Sequence, residues 1–336
     1  MPIYLGSSSV TITKVFKEKD RTEEIIQRTI SGSYKNNQIT DMKDFAFARC
    51  YSLTEVNFPN CSTVGISAFY NCTSLTSVSL PQATSIGNYA FAYCYSLTSV
   101  SLPQATTIGN DAFDNCQSLT SVSLPQATSI GNYAFRSCYS LTSIDLPQAT
   151  SIGNYAFRSC SSLASVSLPQ ATSIGNNAFM RCSSLTSISL PQAITIGSYA
   201  FYNCTSLASV SLPQATTVGN GAFQSCISLA SISLPLATTI GNSAFNSCSS
   251  LASVSLPQAT TIGNEAFYNC YNLISLHLTG VSSVPVLGTL VFRSTPIGGY
   301  SASTGQFGSV YVPASLYNNF LTATNWSDIA SRIVSV

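Results

Sequence analysis

Charged residues are scarce in this sequence. Only 7% of its 336 residues are Asp, Glu, Lys or Arg, the formal net charge is +1, and 14 of the 25 charged residues lie within the first 50 positions. A surface so poor in lysine and arginine lacks the positive footprint that binds nucleic acid or an anionic membrane. We therefore expect no nucleic-acid partner and no membrane partner.

Long apolar runs are also missing. No run approaches the roughly 18 apolar residues of a membrane-spanning helix, so membrane insertion is not expected. The residues MPIYLGSSSVTITKVFK at 1–17 lack the basic start and the apolar stretch of a signal peptide. If the protein is secreted, we expect that its export route is not encoded in those residues.

The residue patterns of an enzyme are absent too. His277 is the only histidine, and no serine or cysteine at a suggestive spacing partners it. Asp111, Asp114 and Asp145 fall on different faces or offsets of the repeat described below, so they predict no acid and base pair. No glycine-rich phosphate or dinucleotide motif occurs. We expect no catalytic residues, no cofactor and no enzyme activity.

What the sequence has instead is a repeat of 22 residues. Eleven of the 12 cysteines fall in strict register, from Cys50 to Cys270, each with a phenylalanine three residues before it and a leucine three residues after it. A self-similar period of this length is the signature of a solenoid, in which each unit buries its apolar face on its neighbours. One unit alone has too few large side chains, at roughly 1.5–3 kcal/mol each, to offset ordering costs of roughly 1–2 kcal/mol per residue.

The copy at 97–116, LTSVSLPQATTIGNDAFDNC, shows the anatomy of one coil. LTSVSL alternates apolar and small polar residues, which predicts a half-buried strand, and Pro103 ends it. After a short extended arm, the Gly-Asn pair predicts a tight turn. The segment 111–116 then places Phe113 and Cys116 on one side, which predicts a single helical or 3₁₀ turn facing the core.

The pattern LxxVxLPxATxIGxxAFxxC, as it stands at 97–116, resembles the BspA-like leucine-rich repeat family, and the resemblance covers roughly residues 39–278. It implies a bacterial surface or secreted binding protein, or a similar protein of a parasite or phage, and it does not imply an enzyme. An extracellular, cell-surface or virion-associated location is therefore implied. Ordinary repeats have Asn or Cys three residues after the last strand leucine, where this chain has Ala105, so the resemblance does not predict their regular horseshoe curvature.

We predict a β-rich solenoid, a right-handed leucine-rich-repeat stack whose 22-residue coils each contain a strand, an extended arm and a short helical turn. The predicted divisions are an N-terminal cap or attachment segment at 1–38, the solenoid at 39–280, and a C-terminal cap with a loop, a strand and a helix at 281–336. The charged run KEKDRTEEIIQRTI at 17–30 is interpreted as a polar cover for the first coil, or as an attachment to a larger assembly. Leu316, Phe320 and Trp326 are predicted to close the other end.

Twelve cysteines raise the question of disulfides or metal. Cysteines one coil apart are expected near the strand spacing of about 4.8 Å, wider than the roughly 3.5–4.5 Å between the Cβ atoms of a disulfide. Zinc sites need paired ligands at short spacing, usually with histidine. We interpret the cysteines as buried reduced thiols that fill the core. Partial oxidation and metal binding are the alternatives, and we expect no metal site.

The copies differ from one another mainly at the positions five, two and one residues before each cysteine and one residue after it. These positions hold 12 of the chain's 17 tyrosines, with Ser, Asn, Asp and Gly at most others. Antibody loops use that mixture because tyrosine gives a large contact area at low entropy cost. We hypothesise a binding ribbon along this edge, and tolerated drift at solvent-facing turns is the alternative. The candidate tyrosines include Tyr70, Tyr89, Tyr93, Tyr95, Tyr133, Tyr139, Tyr155, Tyr199, Tyr202, Tyr268 and Tyr271.

Three arginines extend the candidate site. Arg136 and Arg158 occupy matching positions of adjacent coils, and Arg181 lies one residue over in the next coil. Like charges stacked in this way repel, so the arginines are candidates for binding an anionic group such as a carboxylate or an acidic glycan. The alternative is that solvent screens them and that they bind nothing.

The sequence favours a non-catalytic recognition and adhesion solenoid that binds a protein or glycan on another cell through the tyrosine-rich edge. The alternative is a structural or phage tail-associated accessory or spacer protein, which docks to a larger assembly through residues 1–30. A third hypothesis is that the threonine row formed by Thr106, Thr128 and Thr150 orders water or ice.

Overall fold

The computed structural model describes residues 30–299 and 305–336. The chain forms two compact units, residues 1–166 and 167–336. In each unit, short parallel strands one repeat apart pair side by side, so the predicted β-solenoid is confirmed. Apart from Ile30, the charged run at 17–30 lies outside the described residues, and the divisions at residues 38 and 280 stay predictions.

Each coil of the first unit contributes two strands. The odd-numbered strands are β1 (Ser31–Lys35), β3 (Ser52–Asn57), β5 (Ser77–Ser79), β7 (Ser99–Ser101), β9 (Ser121–Ser123), β11 (Ser143–Asp145) and β13 (Ser165–Ser167). The even-numbered strands are β2 (Asp41–Met42), β4 (Thr63–Val64), β6 (Ser85–Ile86), β8 (Thr107–Ile108), β10 (Ser129–Ile130) and β12 (Ser151–Ile152). Strands β1-β3-β5-β7-β9 form one parallel sheet, and the six even strands pair in parallel in chain order.

The second unit repeats this arrangement. Its further odd strands are β15 (Ser187–Ser189), β17 (Ser209–Ser211), β19 (Ser231–Ser233), β21 (Ser253–Ser255), β23 (Ser275–His277) and β25 (Ser309–Val312). Its even strands are β14 (Ser173–Ile174), β16 (Thr195–Ile196), β18 (Thr217–Val218), β20 (Thr239–Ile240), β22 (Thr261–Ile262) and β24 (Val286–Leu287), followed by β26 (Ile333–Ser335). Strands β19-β21-β23-β25-β26 form a parallel sheet, β15 pairs with β17, and β14 to β24 pair in order.

Phenylalanine rings form the centre of each unit. In the first unit the rings from Phe47 to Phe157 stack face to face, with centroids 5.0–5.3 Å apart and planes within 6°. Tyr34, 1% exposed, covers the first ring at 5.3 Å. In the second unit the column runs from Phe179 to Phe267 and reaches Phe292, 25 residues on, at 6.0 Å. The core rings therefore continue beyond residue 280.

The C-terminal residues only partly match the predicted helix. They form a 3₁₀ helix (Ala314–Leu316), the α-helix α1 (Tyr317–Thr322), a second 3₁₀ helix (Ser327–Arg332) and then β26, which pairs with β25. The last residues of the chain therefore include an edge strand. Phe320 and Trp326 are fully buried as predicted, whereas Leu316 is half-buried.

The segment that the sequence predicts as a helical turn is not helical. In the coil that ends at Cys94, the amides of Ala90, Ala92 and Cys94 each donate to the carbonyl three residues earlier, which makes three overlapping β-turns. The amides of Phe91 and Tyr93, which lie between them, donate instead to carbonyls of the next coil. A helix would direct all of its amides along its own axis, and the prediction failed because stacking needs every second amide.

Candidate binding edge

We call the positions five, two and one residues before each cysteine and one residue after it the rim. At two of these four positions the backbone is left-handed: in the coil that ends at Cys138, φ is 57° at Tyr133 and 59° at Ser137. Such a conformation costs a residue other than glycine roughly 1–2 kcal/mol. Hydrogen bonds of these amides to Asn154 and Arg158 of the next coil, at 2.9 and 2.8 Å, hold it in place. Rim side chains therefore project from a backbone that is fixed before any ligand arrives.

Every candidate tyrosine is partly exposed to solvent, and none is buried. The most exposed are Tyr89, Tyr95, Tyr139, Tyr199 and Tyr271, at 38–48%. The core phenylalanines only a few residues away are fully buried. Apart from Phe45, which is 57% exposed, every aromatic residue of the rim is a tyrosine.

Sequence reasoning did not single out one further rim tyrosine. Tyr51 follows Cys50 directly and is 42% exposed. The signal was present, because Tyr51 stands in the same repeat position as Tyr95 and Tyr139.

Tyrosines of the first unit contact one another in two groups. Tyr93 meets Tyr70 of the preceding coil edge to face at 5.5 Å and Tyr95 of its own coil at 6.1 Å. Tyr133 and Tyr155, one coil apart, stack at 4.7 Å with planes within 3°. Such contacts restrict the rings, which lowers the entropy cost of ordering them on a ligand.

An ion pair lies between these two groups. Arg136 donates from Nε and Nη2 to the two carboxylate oxygens of Asp114, at 2.8 and 2.6 Å, and Nη2 is 3.9 Å from Oδ1 of Asp111. The side chains of Asp114 and Arg136 are 1% and 29% exposed. The two aspartates, placed by the sequence analysis on different faces or offsets, therefore meet at one guanidinium. Asp114 and Arg136 share a repeat position one coil apart, and this signal could have predicted the pair.

The negative charge of Asp111 is balanced less well by Arg136 than that of Asp114 is. Burial, and next the neighbouring charge of Asp114, raise the pKa of the Asp111 carboxyl above its ordinary value, although Arg136 and a hydrogen bond with Tyr89 oppose them. The charge of Asp111, followed by burial, raises the pKa of the Tyr89 hydroxyl. The rim between residues 89 and 136 therefore has one carboxylate more than it has cations, and this excess disfavours an anionic ligand there.

The two stacked tyrosines each carry a guanidinium of their own coil. Arg136 lies 4.8 Å from the Tyr133 centroid, and Arg158 lies 5.7 Å from the Tyr155 centroid. Arg136 already binds the carboxylate of Asp114, so it is not available to pair with a carboxylate of a ligand. The anion-binding hypothesis accordingly stays a prediction that rests on Arg158 and, in the second unit, on Arg181.

The rim of the second unit is less aromatic. Arg181 is exposed with a φ of 62°. Tyr199 meets Tyr202 of its own coil edge to face at 6.0 Å, and its ring lies against Gly221, whose Cβ would overlap it if there were one. Near the end of the unit, Arg293 lies 5.9 Å from the ring of Tyr268. These are separate small contacts rather than one continuous group.

The hydroxyls of the threonine row are used in hydrogen bonds between adjacent coils. The hydroxyls of Thr106, Thr128 and Thr150 each donate to the carbonyl of the residue one coil before, at 3.2–3.3 Å. Each hydroxyl proton is thereby used inside the protein. This arrangement weakens the hypothesis that these rows order water or ice.

All 12 cysteines are buried as reduced thiols, as predicted. The Sγ of Cys72 donates to the Phe47 carbonyl at 3.0 Å, and the same contact recurs along both units. Burial raises the pKa of Cys160, Cys204 and Cys248 to about 12. The thiols are therefore protonated filler for the core.

The remaining polar residues suggest no centre for chemistry. His277 on β23 stacks on Tyr311 of β25 at 4.7 Å. Across residues 30–299 and 305–336, no three His, Cys, Asp or Glu side chains are grouped so that they could bind a metal ion. None of the helices in this part of the chain is long and apolar enough to cross a membrane.

Sequence comparison finds one family model that matches most of the chain. The model of the BspA type leucine rich repeat region matches residues 29–127, 84–178 and 172–297, in six copies. No functionally curated protein shows significant similarity to the chain.

Solved structures of bacterial leucine-rich repeat proteins are similar. A leucine-rich repeat protein from Bacteroides ovatus is 22% identical over 91% of this chain and 94% of its own, with a TM-score of 0.54, which supports the fold. A leucine rich cell surface protein from Faecalibacterium prausnitzii is 27% identical over 76% of this chain and 80% of its own, with a TM-score of 0.46. The leucine rich repeat protein of T. pallidum is 27% identical over 58% and 80%, with a TM-score of 0.38.

Proposed function

Because the chain belongs to the BspA type leucine-rich repeat family, we propose that it is a non-catalytic recognition protein that binds a protein or a glycan on a cell surface through its rim. Leucine-rich repeat folds commonly bind macromolecular ligands, and proteins of this family are typically secreted or on the cell surface. We place this chain in the same setting, or on a virion. The more specific part of the proposal is that the rim and its tyrosines form the binding surface.

The observation that supports the rim most is the sorting of aromatic residues. Phenylalanine occupies the core column, while the rim tyrosines stay in contact with solvent on turns with a fixed backbone. Tyrosine buries a large amphipathic area on a partner at low entropy cost. The strand face, in contrast, offers rows of serine such as Ser99, Ser121 and Ser143. Compared with that strand face, the rim has side chains large enough to act as anchors.

A matched pair of variants tests the proposal. In the rim variant, six tyrosines of the first unit become serine: Tyr89, Tyr93, Tyr95, Tyr133, Tyr139 and Tyr155. Serine already stands at rim positions in the native chain, at Ser67, Ser137 and Ser161, so these changes fit the turns. The control variant changes the strand-face residues Ser99, Ser121 and Ser143 to threonine.

Both variants are compared with the native protein for binding to a panel of intact cells and to protein and glycan arrays. We expect the rim variant to lose at least roughly tenfold in affinity for the ligands that the native protein retains. The control variant should bind like the native protein. Equal binding by all three proteins would place the contact away from the rim.

The second candidate is a structural role, as a tail-associated accessory or spacer that docks through residues 1–30. It is favoured by the concentration of charge, with 14 of the 25 charged residues in the first 50 positions. Deletion of residues 1–30 separates the two candidates. Loss of incorporation into an assembly with unchanged ligand binding would support docking, whereas loss of ligand binding alone would count against it.

A further inference from the structure

One position of the rim repeats with a period of two coils. The residue that follows each cysteine is tyrosine at Tyr51, Tyr95 and Tyr139, and these rings are 42%, 38% and 43% exposed. The intervening coils have Thr73 and Gln117 at the same position. All five residues lie in the first unit. We call Tyr51, Tyr95 and Tyr139 the tyrosine row.

The coils beneath the row set its spacing. The core rings from Phe47 to Phe91 are 5.2 and 5.0 Å apart, so two coils measure about 10 Å. Hydrogen bonds of 2.7 Å from the Phe47 amide to Ala68 and from the Phe69 amide to Ala90 hold successive turns at this interval. Three similarly exposed rings therefore recur at regular intervals along one edge.

A regular row of aromatic rings fits a polymer that itself repeats. A β-1,4-linked chain of neutral pyranoses is an extended ribbon that turns the same carbon-rich ring face outward at every second sugar, an interval close to two coils. Such a face stacks on an aromatic ring, whose body is apolar. Between the rings, the amide of Gln117 and the hydroxyl of Thr73 can donate and accept hydrogen bonds with sugar hydroxyls. The surface of a globular protein without internal repeats has no comparable translational period.

The charge along the row also selects against an acidic polymer. Between Tyr51 and Tyr139 the sequence has four charged residues, namely Glu55, Asp111, Asp114 and Arg136. Arg136 is paired with Asp114. With Arg49 two residues before Tyr51, the charges along the row nearly cancel, so the row offers a polyanion no net positive charge and suits a neutral chain.

From this spacing and this charge, we propose that the tyrosine row binds a neutral β-1,4-linked polysaccharide along the edge of the first unit. Every second sugar stacks on a tyrosine, and the sugars between them face Thr73 and Gln117. Tyr93, which meets Tyr95 edge to face at 6.1 Å, holds the central ring in position. The inference rests on the proposed function and specifies its ligand.

Isothermal titration with oligosaccharides tests the row. The probes are β-1,4-linked glucose and N-acetylglucosamine oligomers of two and of six sugars, with an α-1,4-linked glucose hexasaccharide as the control, because its coiled chain does not present one face at a fixed interval. We expect a β-1,4 hexasaccharide to bind at least roughly tenfold more tightly than its disaccharide. The α-linked chain should bind no more tightly than the disaccharide.

Two variants separate the spacing from the mere number of tyrosines. Tyr95→Thr removes the central ring. The double variant Thr73→Tyr with Tyr95→Thr keeps three tyrosines but moves the central one by one coil. We expect both to weaken hexasaccharide binding by roughly tenfold, with unchanged circular dichroism and unfolding midpoint. Ser121→Thr, on the exposed strand face of β9 in the same unit, should leave binding unchanged.

The inference is overturned if neither β-1,4 hexasaccharide binds, or if the double variant binds a hexasaccharide as tightly as the native protein. The six-tyrosine rim variant tests the proposed function separately from the choice of glycan. If the six-tyrosine rim variant loses binding to cells or to a protein while no hexasaccharide binds the native protein, the rim is a binding edge and only its assignment to this glycan is wrong.

Discussion

The carboxylate of Asp114 accepts two hydrogen bonds from the guanidinium of Arg136, at 2.8 and 2.6 Å, from one coil to the next. Asp114 is 1% exposed, and Arg136 also covers the Tyr133 ring at 4.8 Å. This is a charged link in a repeat whose other contacts between coils are mostly backbone and apolar. The ion pair explains how an arginine can stand at this repeat position, two residues before a cysteine, because Asp114 neutralises its charge within the protein.

We expect Arg136→Ala to lower the free energy of unfolding by about 2 kcal/mol, since it leaves a buried carboxylate without its partner. Urea denaturation followed by circular dichroism measures the loss. Arg158→Ala is the matched control: it removes a guanidinium in the same column that contacts a tyrosine ring, and it should cost at most about 1 kcal/mol. Equal losses in the two variants would contradict the assignment.

The double variant Asp114→Ala with Arg136→Ala should be more stable than Arg136→Ala alone. Removal of both partners leaves no buried charge, and alanine stands naturally in this column at Ala48 and Ala92. A double-mutant cycle measures the coupling between the two residues. Additive losses would show that the pair contributes no interaction energy.

Asp111→Asn tests the excess carboxylate. Burial raises the pKa of Asp111 above its unfolded value of 3.8, so the folded protein binds the proton more strongly and this residue's contribution to stability declines as the pH rises through the raised folded value. Asparagine removes the charge and tolerates the φ of 53°. We expect a gain of about 0.5–1 kcal/mol at pH 7 that shrinks as the pH falls towards 3.8.

Unfolding titrations at several pH values measure this gain. Asp145→Asn, on the exposed face of β11, is the control and should leave the stability at pH 7 as it is in the native protein. A loss of stability at pH 7 in Asp111→Asn would mean that the 3.9 Å contact of Asp111 with Arg136 outweighs its burial.

The sequence predicted the stack well because the core columns are strictly periodic. Cys116, Phe113 and Leu119 occupy fixed places in the repeat, and all three are fully buried. Their lack of variation from copy to copy indicates burial, because a residue that packs on its own copy in the next coil tolerates little change. The same regularity located the first strand of each coil.

The β-turns before each cysteine and the ion pair between Asp114 and Arg136 could not be predicted from the sequence of a single repeat. Ala112, Phe113 and Cys116 fit the face of a helical turn, but the hydrogen bonds that decide between a helix and β-turns go to a neighbouring coil. Asp114 looks exposed when its own coil is considered alone, and it becomes buried because Arg136 follows one coil later. Contacts between copies, rather than patterns within a copy, set the structure at these places.

Gly109→Ala should disrupt stacking. A Cβ at this position would lie 2.7 Å from the amide nitrogen of Asn88 and from the carbonyl carbon of Gly87, both backbone atoms of the adjacent coil. Neither atom can move without breaking the ladder, so we expect a loss of about 3 kcal/mol. Gly299→Ala is the control, because no heavy atom lies within 4 Å of its Cβ position. Thermal unfolding of the two variants measures the difference, and similar midpoints would contradict the close approach.

The buried thiols give a readout of how cooperatively the coils open. Burial raises the pKa of Cys160, Cys204 and Cys248 to about 12, and each is fully buried. At pH 8 these cysteines are therefore protonated and out of reach, and a thiol reagent reacts only with the thiolate of an opened coil. We expect negligible labelling of the native protein by a chromogenic disulfide reagent at pH 8, and 12 thiols per chain in strong denaturant.

Mass spectrometry after partial labelling identifies which cysteines open first. Because Cys50 and Cys270 lie in the outermost copies of the 22-residue register, and stability in a repeat array depends on neighbours on both sides, they should react before Cys138 and Cys226. Arg136→Ala should accelerate the labelling of Cys116 and Cys138, which end the two coils joined by the lost ion pair, more than that of Cys248. Rapid labelling of central cysteines in the native protein would mean that the coils open independently and that neighbouring coils do not protect one another.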